Sequence, residues 1–248
     1  LPYLHLTPGA AVVPHGDGLL LATADERFAA ISGTAAEISS LRRILTGVLP
    51  VATDGVGAEV PAAVVGWGAG SIDAEPTRPA GPWSLTDLLP TARLTVAIAI
   101  APGLDRPARL VVRDVLDDAA LTAIDLPDAS PWVPVHRELG ALVAGPLLNG
   151  PAPTLTWADV RFRRLAASPA RPQLTALWET WSEHGTAYDV VPAAGAVAAA
   201  GVRLLDLLAG EPAILLTHQV VVPCADEASP SVHPVLPVPQ GLMTQVPA

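Results

Sequence analysis

Twenty-seven prolines are spread along this 248-residue chain, and they limit how long any regular element can run. Proline has a fixed φ and no N–H, so it disfavours helix interiors and central strands. Half the residues are apolar, yet aromatics make up only 4%, so Ala, Val, Leu and Pro carry the apolar content. Short strands and small Ala-rich helices between proline-marked loops are expected. The apolar share excludes disorder throughout, and the length suffices for one large domain or two small ones.

In residues 1–72 the alternating run Leu4, His5, Leu6, Thr7 stops at Pro8 and Gly9. The apolar run Ala11, Val12, Val13 is followed by the turn signal His15, Gly16, Asp17, Gly18, and then by a strand over residues 19–22. A short strand over residues 28–31 is ended by Ser32 and Gly33. Residues 35–46 then read as a helix. Thr34 with Glu37 three positions on forms a capping box, and Ile38, Leu41 and Leu45 fall on one face before Gly47. A second short helix is expected over residues 59–67. A sheet this small needs helices on one face to be stable.

Residues 73–92 carry Pro76, Pro79, Pro82 and Pro90 and read as a linker, with one helical turn at 86–89. Residues 93–222 read as an incomplete α/β sandwich. Residues 94–101 (Leu, Thr, Val, Ala, Ile, Ala, Ile, Ala) look like a buried strand, and residues 109–113 like a second. Residues 132–136 and 141–145 form a hairpin turning at Leu139 and Gly140. Helices follow over 172–184, with Leu174, Leu177, Trp178 and Trp181 on one stripe, and over 193–209, ended by Gly210. Residues 214–222 read as an apolar strand with Thr217, His218 and Gln219 in its middle. The proline-rich tail, 223–248, is expected to be a loosely packed extension.

A formal net charge of −10 disfavours a phosphate-binding surface, so no nucleic-acid partner is expected. All fourteen basic residues are Arg, which excludes a P-loop, Schiff-base or general-base lysine. The single cysteine, Cys224, excludes a disulfide within the chain and any cysteine-rich zinc site, and it fits a reducing cytoplasm. No apolar window is long enough to span a membrane, and the first residues lack a signal-peptide pattern. The strand–helix junction near Gly103 lacks a Gly-rich phosphate turn, and no G-x-S-x-G elbow occurs. No catalytic, metal or cofactor residues are assigned. The acidic run Asp114, Asp117, Asp118 reads as a helix start. Arg161, Arg163, Arg164 and Arg171 form the one dense basic stretch, a candidate contact for an acidic peptide or partner.

Two stretches carry a family resemblance. The first holds Leu6-Thr7-Pro8-Gly9, Val12-Val13-Pro14-His15-Gly16-Asp17-Gly18 and Leu41-Arg42-Arg43-Ile44-Leu45-Thr46-Gly47. The second holds His136-Arg137-Glu138-Leu139-Gly140, Gly145-Pro146-Leu147-Leu148, Ala158-Asp159-Val160-Arg161-Phe162-Arg163-Arg164 and Pro169-Ala170-Arg171-Pro172-Gln173-Leu174. In that order they resemble the E1-like (ThiF/MoeB-related) proteins of azole-forming ribosomal peptide biosynthesis, which bind the leader of a precursor peptide beside a YcaO-type cyclodehydratase. The chain departs from the family at its cysteine pairs. Thr154-Leu155-Thr156-Trp157 stands at the first, and His233-Pro234-Val235-Leu236 near the second.

The fold this implies is α+β passing into α/β. A winged-helix-like peptide recognition element would be followed by a truncated, Rossmann-related E1-like domain lacking zinc and adenylation chemistry. In such elements the leader adds a strand to the third strand of the wing and packs on the last helix. Carried onto this chain, the peptide-binding residues are Arg27, Phe28, Ala29, Ala30 and Ile31 with Val60, Val64 and Trp67, and Trp67 is the aromatic anchor. The expected function is non-catalytic presentation of a leader peptide to the cyclodehydratase, and a homodimer is expected by analogy. Its rivals are an ATP-dependent E1-like catalyst and a docking or dimerisation subunit that binds no peptide.

Overall fold

The computed structural model describes residues 2–46, 49–51, 56–73, 83–99, 107–125, 130–150, 154–187, 189–225 and 228–239. Strand β1 (Tyr3–Leu6) buries Leu4 and Leu6, as its alternation requires. Strands β2 (Ala11–His15), β3 (Gly18–Ala22) and β4 (Phe28–Ile31) form an antiparallel sheet in that order. Helix α1 (Ala35–Leu45) starts at the expected capping box: the Thr34 hydroxyl accepts from the Glu37 N–H, and the Glu37 carboxylate accepts from the Thr34 N–H. Helix α2 (Val56–Gly66) leads to β5 (Gly70–Asp73), which pairs with β1. No alternating signal foretold β5, whose last three residues are exposed.

Helices α3 (Leu85–Leu88) and α4 (Thr91–Ala99) come next. Strand β6 (Arg109–Arg113), helix α5 (Asp118–Ile124) and strand β7 (Trp132–Glu138) form a parallel crossover, followed by β8 (Ala141–Ala144) across the predicted turn. Helices α6 (Trp157–Ala167), α7 (Arg171–His184) and α8 (Ala194–Gly210) lead to β9 (His218–Pro223) and β10 (Ser231–Pro234). The second sheet runs β10-β9-β8-β7-β6, and only β6 and β7 are parallel. The architecture is mixed α/β.

Alternation along the strands of the second sheet divides its side chains between two cores. Val133, Val135, Leu142, Val220 and Val222 face α3, α4 and α8. Trp132 and Val111 face α5, α6 and α7, where Trp157, Trp178 and Trp181 are buried. The small β2–β3–β4 sheet is also covered twice. Val12, Leu19 and Leu21 meet α1 and α2, while Ala11, Val13, Leu20 and Ala22 join the tryptophan core. Burial on both faces explains why residues 19–22 read as an unbroken apolar run.

Three expectations are corrected. Residues 94–99, expected as the start of a buried strand, lie in α4. Leu94, Ala97 and Ile98 are buried at helical spacing while Val96 is 64% exposed. Core packing on one helical face outweighed the β-propensity of the branched residues; residues 100–101 lie outside the described residues. Residues 212–216, which include the first part of the expected strand, form a 3₁₀ turn begun by Pro212, and the strand starts only at His218. The tail is not loose throughout: β10 pairs with β9, and Val235 and Val238 are buried. Within the stretch read as a linker, Leu85 and Leu89 are buried against α8's core.

Candidate functional site

Strand β4 lies at the end of its sheet, and among the described residues no strand pairs with its outer side. Backbone N–H and C=O groups on such an edge can accept another strand. Directly beside it, a groove of about 730 Å³ opens between β4 and α2. Ala29, Ala30 and Ile31 line it from the strand; Val60, Val64 and Trp67 line it from the helix and the turn that follows. Glu59 and Ser32 supply its few polar groups. A second apolar hollow, about 380 Å³, continues past Ile31 and Val60 towards Ala36, Ser40 and Ile44 of α1.

The local sequence explains why the groove stays open. Ala29, Ala30 and Ala63 are too small to fill the space between strand and helix. Arg27 stacks over the Trp67 ring, 5.0 Å from its centre, and its Nε donates to Asp25 at 2.8 Å. The cation fixes the indole at one end of the groove. Of the eight residues assigned from sequence, six therefore line one groove and Arg27 holds one of them in place. Phe28 packs instead on the tryptophan core on the other side of the sheet.

The Arg residues of α6 and α7 do not act as one basic patch. Arg161 donates to Asp118 at 2.9 Å, and Arg163 donates to the carbonyl oxygens of Leu236 and Pro237 at 3.1 and 3.4 Å. Arg164 forks onto Glu26 and also reaches Glu138. Arg171 is exposed at the start of α7. The acidic run serves helix ends, as read from sequence: Asp117 caps α5, and Asp114 accepts from the Leu85 N–H at 2.6 Å. Among the described residues no group of His, Cys, Asp and Glu is arranged to hold a metal ion, and no helix is long and apolar enough to cross a membrane.

Sequence reasoning missed two buried polar groups near the centre of the molecule. His136, on β7, is fully buried, meets Trp157 edge-on at 6.2 Å between ring centres, and finds no hydrogen-bond partner for either nitrogen among the described residues. Burial pushes its pKa down to about 3, with help from the nearby Arg164 charge. Glu138, two residues on, is 7% exposed, and burial raises its pKa although Arg164 opposes the shift. Inside a strand flanked by Val133 and Val135, the run His136, Arg137, Glu138 was the available signal, since three polar residues in sequence break the alternation.

No protein-family model matches the chain, and no curated protein matches it. Similar solved structures exist. The heterocyclase TruD is 15% identical, with 94% of this chain and 41% of that one covered, at a TM-score of 0.32. A chain of the E. coli microcin synthetase McbBCD complex is 11% identical, with 94% and 97% covered, at 0.40. A heterocyclase in complex with substrate and cofactor is 15% identical, with 93% and 37% covered, at 0.36. The chain thus spans about two fifths of each heterocyclase chain and nearly the whole of the microcin synthetase chain.

Proposed function

We propose that the chain binds an extended peptide along the free edge of β4 and presents it to a separate enzyme, without catalysing a step itself. One observation carries this reading: an unpaired strand edge and an apolar groove share the residues Ala29, Ala30 and Ile31. A peptide added to β4 would form backbone hydrogen bonds on one side. Every second side chain would enter the groove against Val60, Val64 and Trp67. The resemblance carried by the sequence motifs names the occupant as a precursor leader and the enzyme as a YcaO-type cyclodehydratase. Residues 1–72 would then be the winged-helix-like recognition element, and residues 93–222 the degenerate E1-like part that docks the enzyme.

The test is fluorescence polarisation with the leader of the precursor encoded nearest this gene. Micromolar or tighter binding, weakened about tenfold or more by Trp67→Ala, is expected. The same peptide N-methylated at alternate backbone positions should lose affinity, because edge pairing needs its N–H groups. Absence of binding, alone and with the enzyme present, would reject the reading.

A further inference from the structure

The apolar surface beside β4 does not stop where the strand does. Trp67 marks one end of the groove, where Arg27 stacks on it just before β4 begins. At the other end Ile31 and Val60 belong both to the groove and to the second hollow of about 380 Å³, which α1 lines. On α1, Ala36, Ser40 and Ile44 fall at i, i+4 and i+8, along one row of the helix. Ile44 is buried, whereas Ala36 and Ser40 are exposed and too small to close the space between α1 and Val60. Gly33 lines the same hollow. A Cβ there would stand 3.3 Å from the Glu37 Oε2 and 3.6 Å from the Ile38 Cδ1, so the missing side chain leaves the approach from β4 open.

Cross-strand pairing fixes which side chains of an added strand meet this surface. Ala29 and Ile31 pair with Leu21 and Leu19 and share their face, the one packed against α1 and α2. A strand laid on β4 therefore turns the residues opposite Ala29 and Ile31 to that face. The next residue turned the same way lies two positions on, about 6.6 Å further along, level with Gly33 and in front of the hollow.

The hollow asks for an apolar side chain. Ile31, Ile38, Leu41, Ile44 and Val60 line it. Its one carboxylate, Glu37, already accepts from the Thr34 N–H at 2.8 Å and the Thr34 hydroxyl at 2.7 Å, so it is committed to the helix cap. Glu37 and the groove's Glu59 both repel an acidic side chain at this end.

We propose that the hollow is a further subsite of the groove, which takes a large apolar residue of the same peptide (Leu, Ile, Met or Phe). That residue lies two positions beyond the one opposite Ile31. In the antiparallel pairing that β2, β3 and β4 already use, it lies towards the peptide's N-terminus. The inference rests on the groove holding a peptide, and nothing in it depends on the enzyme that receives the peptide.

Fluorescence polarisation of the full chain with the same leader tests the subsite. Ser40→Phe and Ala36→Leu, both at exposed positions, fill the hollow and leave the groove open. Each should weaken the leader about tenfold without moving the urea midpoint. An alanine scan of the leader should then find one apolar position whose loss costs about tenfold in wild type and almost nothing further in Ser40→Phe. Asp at that position should abolish binding, and norleucine should restore it. The position should precede, by an even number of residues, the one coupled in the same way to Ala63→Phe. Equal leader affinity in wild type and both variants, or a coupled position at odd spacing, overturns the subsite and leaves the groove reading intact. A dimer seen by sedimentation and lost in Ser40→Phe, with leader affinity unchanged, would give the hollow to a second copy and overturn it too. No leader binding to wild type rejects the groove reading, and the subsite falls with it.

Discussion

Asp189 accepts hydrogen bonds from two buried side chains, Arg137 on β7 and the Trp181 indole on α7, the latter at 2.9 Å. The side chains of Arg137 and Asp189 are each 1% exposed, so neither charge is hydrated. A buried ion pair adds little by itself, but removing one partner strands the other. Asp189→Asn keeps the shape and leaves Arg137 uncompensated, and it should lower the unfolding free energy by about 3 kcal/mol. Urea denaturation followed by tryptophan fluorescence reads this directly. An unchanged midpoint would mean that the pair contributes nothing to stability.

His136 predicts the acid behaviour of the protein. Its folded pKa of about 3 lies below the ordinary histidine value, so between about 6.5 and 3 the unfolded chain takes up a proton that the folded one refuses. Stability associated with the neutral ring is therefore complete above about pH 6.5 and declines as pH falls, by about 1.4 kcal/mol per pH unit within that window. Glu138 has the opposite sign, since its raised pKa makes the folded state bind the extra proton just above the ordinary carboxylate range. Unfolding of His136→Leu should show a flatter pH dependence between pH 6 and pH 4 than wild type, by up to about 1.4 kcal/mol per pH unit. Parallel curves would contradict the assignment.

The start of α6 binds the chain's last described residues. Thr156 and Asp159 form a capping box, and the second Asp159 oxygen accepts from the buried Val238 N–H at 2.6 Å. Thr156→Ala should cost about 1 kcal/mol. Asp159→Ala should cost more, about 2 kcal/mol, because it also leaves the Val238 N–H unpaired. Hydrogen exchange at Val238 distinguishes them, with protection lost only in the second variant.

Filling the groove should block peptide without disturbing the fold. Ala63 lines it and is exposed, so Ala63→Phe projects a ring into the groove. Leader affinity should fall by at least about tenfold while the urea midpoint moves by less than about 0.5 kcal/mol equivalent. Retained affinity would place the peptide elsewhere.

Much of the first seventy residues was legible because their signals are local. The Thr34–Glu37 box, the glycine-marked turns and the alternating leucines fix element ends within a few positions, and the groove follows from small residues on β4 facing a short helix. Residues 94–99 were misread because β-branched side chains are compatible with either period. The deciding fact, that Leu94, Ala97 and Ile98 face α8, is a tertiary one. Arg137 and Asp189 are 52 positions apart, and no local pattern joins them.

Where the turn after β1 meets the β7–β8 hairpin, main chain lies on main chain. A Cβ on Gly9 would fall 2.4 Å from the Gly140 Cα, and one on Gly140 would fall 2.8 Å from the Ala24 Cβ. Most joints between protein segments are cushioned by side chains, and mutation can soften or stiffen them by degrees. This one has no cushion to exchange. Any larger residue at Gly9 forces the two turns apart, and one at Gly140 presses on the Ala24 methyl of the β3–β4 connection, so at Gly9 the joint has only two settings, intact or broken. If the groove takes a peptide as proposed, adaptation to new peptides would be left to its walls, while this joint would stay constant.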